Sequence, residues 1–294
     1  MSDASKSRAL KIVICLLALY FIWGSTYIAM RFAIDSFPPI MMAAIRFCSA
    51  GILLYSWLRL RGVPAPTRRE WLGASVVGIL LLSIGNATVA YAEQTVSSGV
   101  AALTIATVPL WVALFSWLWN QKPTLREWLG ILIGTLGVVV LNSGANFQAS
   151  PIGAILVLIG SMCWSLGSIW GKHLPMARGA MGSASQMLAG GVVLVVASTV
   201  AGESWPATLT SKSVLAELYL IVFGSLVAYS AYMFLLRNVR PALATSNAFV
   251  NPVVALLLGV FLADERVGQA EITALIIILC SVLLVLPIGK KSTN

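Results

Sequence analysis

The chain has 294 residues, of which 59% are hydrophobic and only 10% are charged, and it carries a formal net charge of +9. Globular domains use about 25% charged residues, so this composition excludes a soluble domain. The positive charge does not indicate a nucleic-acid partner, because the basic residues are scattered singly between apolar runs, as determinants of membrane topology are. We therefore expect an all-α protein embedded in a lipid bilayer.

The apolar runs are each close to the ~20 residues that a helix needs to cross about 30 Å of hydrocarbon. Turn-forming residues such as Pro38, Pro39 and Pro241 separate them. The first run follows a basic lead, but it is too long for a signal peptide and no small-residue cleavage site follows it. The sequence predicts ten transmembrane helices, near residues 12–32, 39–58, 71–92, 98–119, 125–142, 151–170, 182–201, 214–236, 243–262 and 269–287.

Lysine and arginine indicate how these helices are oriented. When the N-terminus is placed in the cytoplasm, fifteen of the nineteen basic residues fall in cytoplasmic segments, as the positive-inside rule requires. The exceptions are Arg31, Arg46, Lys212 and Arg266. We expect both termini in the cytoplasm and a multi-pass location in a bacterial inner membrane.

Chemistry-bearing side chains are scarce in the predicted spans. The four cysteines lie in apolar segments without a C-x-x-C motif, which favours small core residues over metal or disulfide chemistry. The single histidine, His173, falls in a loop, and the sequence has neither a Ser-His-Asp set within the spans nor a phosphate-binding G-x-x-x-x-G-K-[ST] motif. We expect no enzyme activity, no metal, no cofactor and no direct use of ATP.

The chain aligns with itself at an offset of 140–143 residues, which places Trp23 on Trp164. Each half has five predicted spans, so the second half must begin from the opposite side of the membrane. The sequence predicts one five-helix repeat in residues 1–143 and a second, inverted repeat in residues 144–294, with accidental periodicity as the alternative. Inverted repeats with a site at their interface are typical of transporters.

Several short motifs lie along the chain, and the last of them is the second-half echo of the motif at residues 98–103. They are Trp23-Gly24-Ser25, Ala44-Ile45-Arg46-Phe47, Tyr91-Ala92, Ser98-Gly99-Val100-Ala101-Ala102-Leu103 and Arg240-Pro241-Ala242-Leu243-Ala244-Thr245. This pattern resembles the EamA family of the drug/metabolite transporter superfamily over essentially the whole chain. The Gly-Glu pair that usually ends span four is absent, since Trp119-Asn120-Gln121-Lys122 stands there. The resemblance implies export of small organic metabolites, with aromatic or other neutral amino acids as the leading expectation.

Polar and aromatic side chains inside the spans are expected to line a cavity or to join helices, because lipid-facing positions have no need of them. They fall in spans one, three, four, six, eight and nine, whereas spans five and ten are almost purely aliphatic. We expect a central cavity walled by rings and amides, with helix packing as the alternative role of each residue. The candidate substrate-binding residues are Trp23, Tyr27, Asn86, Tyr91, Trp111, Trp164, Ser168, Tyr229, Tyr232, Ser246, Asn247 and Asn251.

Four further residues are candidates for gating or for structure. Pro109 and its repeat equivalent Pro252 each remove a backbone hydrogen bond within a span, which predicts a hinge or a static bend. Arg46 and Glu93 are expected at similar depth and predict a pair. That pair is either a gate that contacts a substrate carboxylate or a structural contact, and Gln186 at the repeat equivalent of Arg46 favours the structural role.

The leading functional hypothesis is an alternating-access carrier for a small-molecule substrate. Proton-coupled carriers need an ionisable group in the membrane, and we expect only Arg46 and Glu93 to qualify, both towards one edge. We therefore expect facilitated, uniport-like movement, with a proton-coupled multidrug efflux pump for aromatic cations as the alternative. A membrane enzyme or a lipid flippase is a third class. We expect a monomer and leave a dimer open.

Overall fold

The computed structural model describes residues 3–92, 105–141, 151–251, 253–254, 258 and 269–285. Across these residues the chain forms helices joined by turns, with no β-strand. Residues 247–251 are also helical and follow a turn at Thr245 and Ser246. The helices are α1 (Asp3–Ile34), α2 (Pro39–Leu60), α3 (Arg68–Ala92), α4 (Val108–Leu118), α5 (Leu125–Leu141), α6 (Pro151–Trp170), α7 (Ala180–Val200), α8 (Ser211–Asn238), α9 (Pro241–Ala244) and α10 (Gln269–Val285).

Five of the described helices are long and apolar enough to cross a bilayer. They span Ser7–Ile34, Pro39–Leu60, Arg68–Ala92, Ala180–Val200 and Ser211–Asn238. Shorter apolar helices occupy Val108–Leu118, Ile155–Trp170 and Ile272–Leu284. The all-helical membrane fold expected from the sequence is therefore present in the described residues.

Two of the helices begin with a capping box. Thr67 and Glu70 form a capping box on α3, in which Thr67 N donates to Glu70 Oε2 at 2.7 Å and Glu70 N donates to Thr67 Oγ1 at 3.3 Å. Thr124 and Glu127 make the matching pair of bonds on α5, at 2.7 and 3.2 Å. A capping box satisfies backbone N–H groups that have no partner within the first turn of a helix. The residues at which α3 and α5 begin are therefore determined by the local sequence.

Helices α3 and α8 each contain a π-helical stretch in the middle. The two stretches, Ile79–Asn86 and Leu220–Tyr229, begin 141 residues apart and end 143 residues apart. Both offsets fall within the range at which the chain aligns with itself. π-helical turns are rare in proteins, and those that do occur are often found at functional sites. The two halves of the chain therefore share an unusual local structure.

The packing of α2 on α7 is reciprocal. Gly51 lies against Leu188, and Gly191 lies against Cys48, close enough that a β-carbon on either glycine would come within 3 Å of the opposite helix. At an offset of 140, Gly51 corresponds to Gly191 and Cys48 corresponds to Leu188, so the two contacts match. A twofold relation between two similar units would produce contacts of this kind.

The remaining contacts place the polar residues inside the bundle. Helix α1 packs on α8 while α6 packs on α3, and α5 packs mainly on α10. Large apolar side chains such as Leu53, Leu136, Val196 and Leu279 are exposed on the outside. An outer surface of this composition suits hydrocarbon, and it leaves the centre of the bundle for the site described next.

Candidate functional site

A central cavity of about 120 Å³ lies between α1, α2, α3, α6, α8 and residues 245–251. Its wall is apolar in most places and carries a small number of polar groups, which is the usual make-up of a small-molecule site. On one side Val108 belongs to this cavity, while the adjacent Pro109 lines a second and larger vestibule. Consecutive residues of α4 therefore line the two spaces.

Three aromatic rings from both halves of the chain form a cluster at the cavity. The ring centroids of Trp23 and Trp164 are 5.5 Å apart, and Tyr232 lies 5.2 Å from Trp23 and 5.6 Å from Trp164. Trp164 Nε1 donates to Tyr232 Oη at 3.0 Å, and Tyr232 Oη shares a 2.7 Å hydrogen bond with Ser168 Oγ. Both indole rings line the cavity, where they offer flat surfaces for an apolar or aromatic group.

Two amide oxygens of the cavity wall have no hydrogen-bond partner. Asn86 Oδ1 and Asn251 Oδ1 are both buried and unpaired, and Asn251 is only 4% exposed. Their side chains come from opposite halves of the chain and line the same cavity. A buried acceptor without a donor is costly, so a ligand that brings N–H groups would satisfy both oxygens.

A buried guanidinium completes the polar part of the wall. Arg46 is 4% exposed, and its Nε donates to Ser225 Oγ at 2.8 Å. The guanidinium also lies 4.9 Å from the ring centroid of Phe47 and packs directly on Gly224. Trp23 Nε1 donates to the Gly224 carbonyl at 3.0 Å, so the cation and the aromatic cluster share one turn of α8.

The repeat equivalent of Arg46 makes a different contact. Gln186 accepts a 2.7 Å hydrogen bond from Tyr229 Oη through its Oε1 atom, and its Nε2 donates to Met176 Sδ at 2.9 Å. Gln186 is fully buried. The guanidinium of Arg46 therefore faces the cavity, while the side-chain amide of Gln186 is hydrogen-bonded to neighbouring side chains.

Glu217 on α8 is an ionisable group that the sequence did not single out. It is 4% exposed, and neither carboxylate oxygen has a hydrogen-bond partner. Its carboxylate interacts electrostatically with the Arg46 guanidinium, but the two groups are too far apart to form an ion pair. The expectation that Arg46 and Glu93 were the only ionisable groups in the spans was therefore wrong, although residue 217 lies inside the predicted span 214–236.

The vestibule beside the cavity has a volume of about 930 Å³ and lies between the two halves of the chain. Arg240 crosses one edge of it: its Nε forms an ion pair with Glu127 Oε1, and its Nη2 donates to Glu127 Oε2 at 2.7 Å and to the Lys122 carbonyl at 3.2 Å. Lys172 and Arg237 also line the space. Burial, and secondarily Arg240, lower the pKa of Lys172 from 10.5 to about 8.

The structure distributes the candidate residues over several places. Tyr232 belongs to the aromatic cluster, Ser168 hydrogen-bonds to it, and Pro109 lies in the first turn of α4 at the vestibule. The candidates at the wall of the central cavity are Trp23, Arg46, Asn86, Trp164, Tyr229, Asn247 and Asn251.

Other candidates lie away from the cavity or outside the described residues. Tyr91 is 49% exposed at the end of α3, Trp111 stacks on Phe115, and Ser246 shares a 2.6 Å hydrogen bond with Tyr20. The side chain of Tyr27, and residues Glu93 and Pro252, lie outside the part of the chain that the structure describes. The expected pairing of Arg46 with Glu93 and the expected bend at Pro252 therefore stay predictions.

Cavity residues that the sequence did not single out include Thr26, Ser161 and Thr245. Their small hydroxyls also occur widely as helix-packing groups, since each can bond to its own helix backbone. Thr26 Oγ1, for example, donates to the Trp23 carbonyl at 2.6 Å. The sequence alone carries no signal that separates such hydroxyls from those at a site.

The sequence profile of the EamA-like transporter family matches residues 10–143 and 151–286. The chain belongs to this family. The EamA resemblance drawn from the short motifs is thereby confirmed, and the protein is a membrane transporter of the EamA type.

Relatives with curated names agree with the EamA assignment. An uncharacterized inner membrane transporter of Escherichia coli (strain K12), YedA, is 51% identical over 276 residues, which cover 94% of this chain and 90% of YedA. Protein PecM of Dickeya dadantii (strain 3937) is 27% identical over 92% of this chain and 91% of its own length. A crystal structure with 19% sequence identity superposes with a TM-score of 0.81 and covers 95% of this EamA chain and 99% of the other, which shows a shared fold.

Proposed function

We propose that the protein is an inner-membrane carrier that exports aromatic or other neutral amino acids by alternating access. The observation that carries this proposal is the composition of the central cavity. Asn86 and Asn251 present unpaired acceptors that suit an ammonium group, while Arg46 presents a cation that suits a carboxylate. Trp23 and Trp164 offer ring surface for the side chain of the solute.

The topology belongs to the same proposal. The carrier has ten transmembrane helices in two inverted five-helix repeats, with both termini in the cytoplasm. The reciprocal contacts of Gly51 and Gly191 and the matching π-helical stretches support two equivalent halves. Inverted repeats allow one half to move against the other around a site at their interface.

The distribution of basic residues supports an inward-open state. The vestibule carries Lys122, Lys172, Arg237 and Arg240 at its edge, and loops rich in such residues face the cytoplasm. The central cavity is then reached from the cytoplasmic side, which is the side from which an exporter loads its solute. Movement of the halves would close this vestibule and open the opposite side.

The test is uptake of a panel of radiolabelled amino acids by proteoliposomes that contain the purified protein. We expect an aromatic or other neutral amino acid to move, and we expect Trp164→Ala and Asn251→Ala to reduce its rate at least tenfold, because each loses about 1.4 kcal/mol or more of binding energy. Trp205→Ala, which changes an exposed tryptophan, is the matched control. A silent panel together with transport of an organic cation would show that the amino-acid assignment is wrong.

A second candidate is a proton-coupled efflux pump for aromatic cations, and Glu217 is the observation that favours it. A carboxylate that is buried without hydrogen bonds is the type of group that proton-coupled carriers use. Facilitated movement was expected because Arg46 and Glu93 were the ionisable groups foreseen in the spans. Glu217 is a further such group, so the energy source of transport requires a separate experiment.

Dissipation of the pH gradient across the proteoliposomes separates the two candidates. Unchanged flux supports facilitated movement. If flux collapses in the wild type, Glu217→Gln should already lack the response to the gradient while it retains exchange of solute. Asp35→Asn, which neutralises an exposed acid just beyond α1, is the matched control.

A further inference from the structure

The vestibule is strongly unbalanced in charge. Four of its lining residues are cationic, namely Lys122, Lys172, Arg237 and Arg240, and one is acidic, Glu127. Topology signals explain why basic residues occupy the loops at this end of the bundle. They do not explain why several cations line one concave space between the two halves.

The single acidic group is already fully used. Glu127 accepts from Arg240 through both carboxylate oxygens, and its Oε2 also accepts from Thr124 N at 2.7 Å and from Thr124 Oγ1 at 2.8 Å. Among the described residues, Arg240 and Glu127 form the ion pair of this space. Lys122, Lys172 and Arg237 therefore line the vestibule without a carboxylate partner.

Lys172 shows the consequence most clearly. Its side chain is largely buried, and its pKa lies near 8 rather than at 10.5, because burial removes water from the ammonium and Arg240 repels it. A buried cation that lies beside a second cation is costly unless an anion joins them. The vestibule thus holds positive charge that its own residues do not neutralise.

We propose that the vestibule contains an anion-binding site, formed by Lys172 and Arg237, that takes the carboxylate or phosphate group of a solute before the solute reaches the central cavity. The role of this site in transport rests on the proposed function, whereas the binding of an anion does not. Consecutive residues of α4 line the two spaces, Val108 the central cavity and Pro109 the vestibule. A solute held at the vestibule therefore lies against a helix that also lines the cavity.

This arrangement selects against organic cations. Clefts lined by charge of one sign concentrate ligands of the opposite sign and repel ligands of the same sign. An amino acid carries a carboxylate that Lys172 and Arg237 can bind, and its side chain can remain neutral. A cationic drug offers nothing to these residues, so the vestibule favours the first of the two proposed functions over the second.

The test uses two aromatic probes of similar size and opposite charge, benzoate and benzylammonium. Binding is measured by calorimetry on the full-length protein in nanodiscs of phosphatidylcholine. We expect benzoate to bind more tightly than benzylammonium, and we expect its affinity to fall as the pH rises through about 8 and Lys172 loses its proton. Added salt should weaken the binding, because it screens charges in a space open to solvent.

The variants Lys172→Gln and Arg237→Gln locate the site. Each should lower benzoate affinity about tenfold, which corresponds to about 1.4 kcal/mol of binding free energy. Arg59→Gln is the control, because Arg59 is exposed and donates to the nearby Val63 carbonyl outside the vestibule. Circular dichroism and gel filtration check that each variant folds, and the pH dependence in the wild type tests the site without any variant.

Two results would overturn the proposal: equal affinity for both probes, or benzoate binding that neither variant changes. Because no transport is measured, a failure of the amino-acid assignment leaves these readings intact. A second series with phosphatidylglycerol in the nanodiscs identifies the source of the anion. Competition between this lipid and benzoate assigns the site to a lipid headgroup, and lack of competition assigns it to the solute.

Discussion

Trp23 and Trp164 meet edge to face at the central cavity, with an interplanar angle of 76°. They lie 141 positions apart, an offset at which the sequence aligns with itself, and each ring uses its Nε1 for a separate hydrogen bond. The contact therefore joins the halves directly at the site. If one half moves against the other, either the contact between the two rings changes or both rings move as a unit.

The first prediction concerns the strength of this contact. Edge-to-face aromatic pairs contribute about 0.5–1.5 kcal/mol beyond the area they bury. We expect a double-mutant cycle with Trp23→Leu and Trp164→Leu to give a coupling free energy of about 1 kcal/mol in reversible unfolding from mixed micelles.

The control cycle pairs Trp164→Leu with Trp57→Leu, since Trp57 is 52% exposed and lies on α2. These two changes should be additive. Additivity in the Trp23 cycle as well would mean that the two rings are neighbours without a measurable interaction.

The second prediction concerns the ion pair of Arg240 with Glu127. The carboxylate side chain is 7% exposed, so Arg240→Gln leaves a buried acid without its main partner and should cost about 1–3 kcal/mol of unfolding free energy. The double variant with Glu127→Gln should lose less than the two single changes together, because it removes both charges.

Unfolding of the four proteins in the same mixed micelles provides the measurement. Arg59→Gln, which changes an exposed arginine, should have little effect. If Arg240→Gln is as mild as that control, the ion pair does not hold the two edges of the vestibule together.

The third prediction concerns the pH dependence of stability. Because the pKa of Lys172 is about 8 in the folded protein and 10.5 in the free side chain, the unfolded chain binds the proton more tightly. Stability contributed by this residue should therefore rise as the pH increases from about 8 to about 10.5. Lys172→Met should remove that rise and should raise the melting temperature at pH 7.

The measurement is the difference in melting temperature between wild type and Lys172→Met from pH 7 to pH 10.5, which cancels the titration of other groups. Lys11→Met, a change at an exposed lysine, serves as the control for the loss of a lysine. A constant difference for Lys172→Met would contradict a buried and repelled ammonium.

The sequence predicted the helical membrane fold because apolar runs of spanning length with few charges are typical of transmembrane helices. It also placed Trp23, Trp164 and Asn251 in the bundle interior, where the structure has them at the cavity wall. The same signal selected Tyr91 and Trp111, which lie elsewhere. The direction in which a side chain points depends on how its helix is rotated against its neighbours, and one sequence does not specify that rotation.

Glu217 was missed for a different reason. It follows Lys212 within one and a half turns, so it resembles a residue at the end of a span rather than one inside it. Its burial comes from packing of α8 on α1 and α2, beside Arg46. The charge balance of the vestibule could not be predicted from the sequence either, because Glu127 and Arg240 are far apart in the chain and come into contact only in the folded protein.

The π-helical stretch of α8 ends at Tyr229, three residues before Tyr232, which accepts a hydrogen bond from Trp164. A π turn holds one more residue than an α turn, and each residue of a helix advances it by about 100°. If that surplus residue shifted by a few positions along α8, Tyr232 would rotate about the axis of its helix while both ends of α8 stayed in place. The wide turn thus supplies a means to release Trp164 and to reshape the cavity without unfolding a helix or breaking its contacts with the membrane.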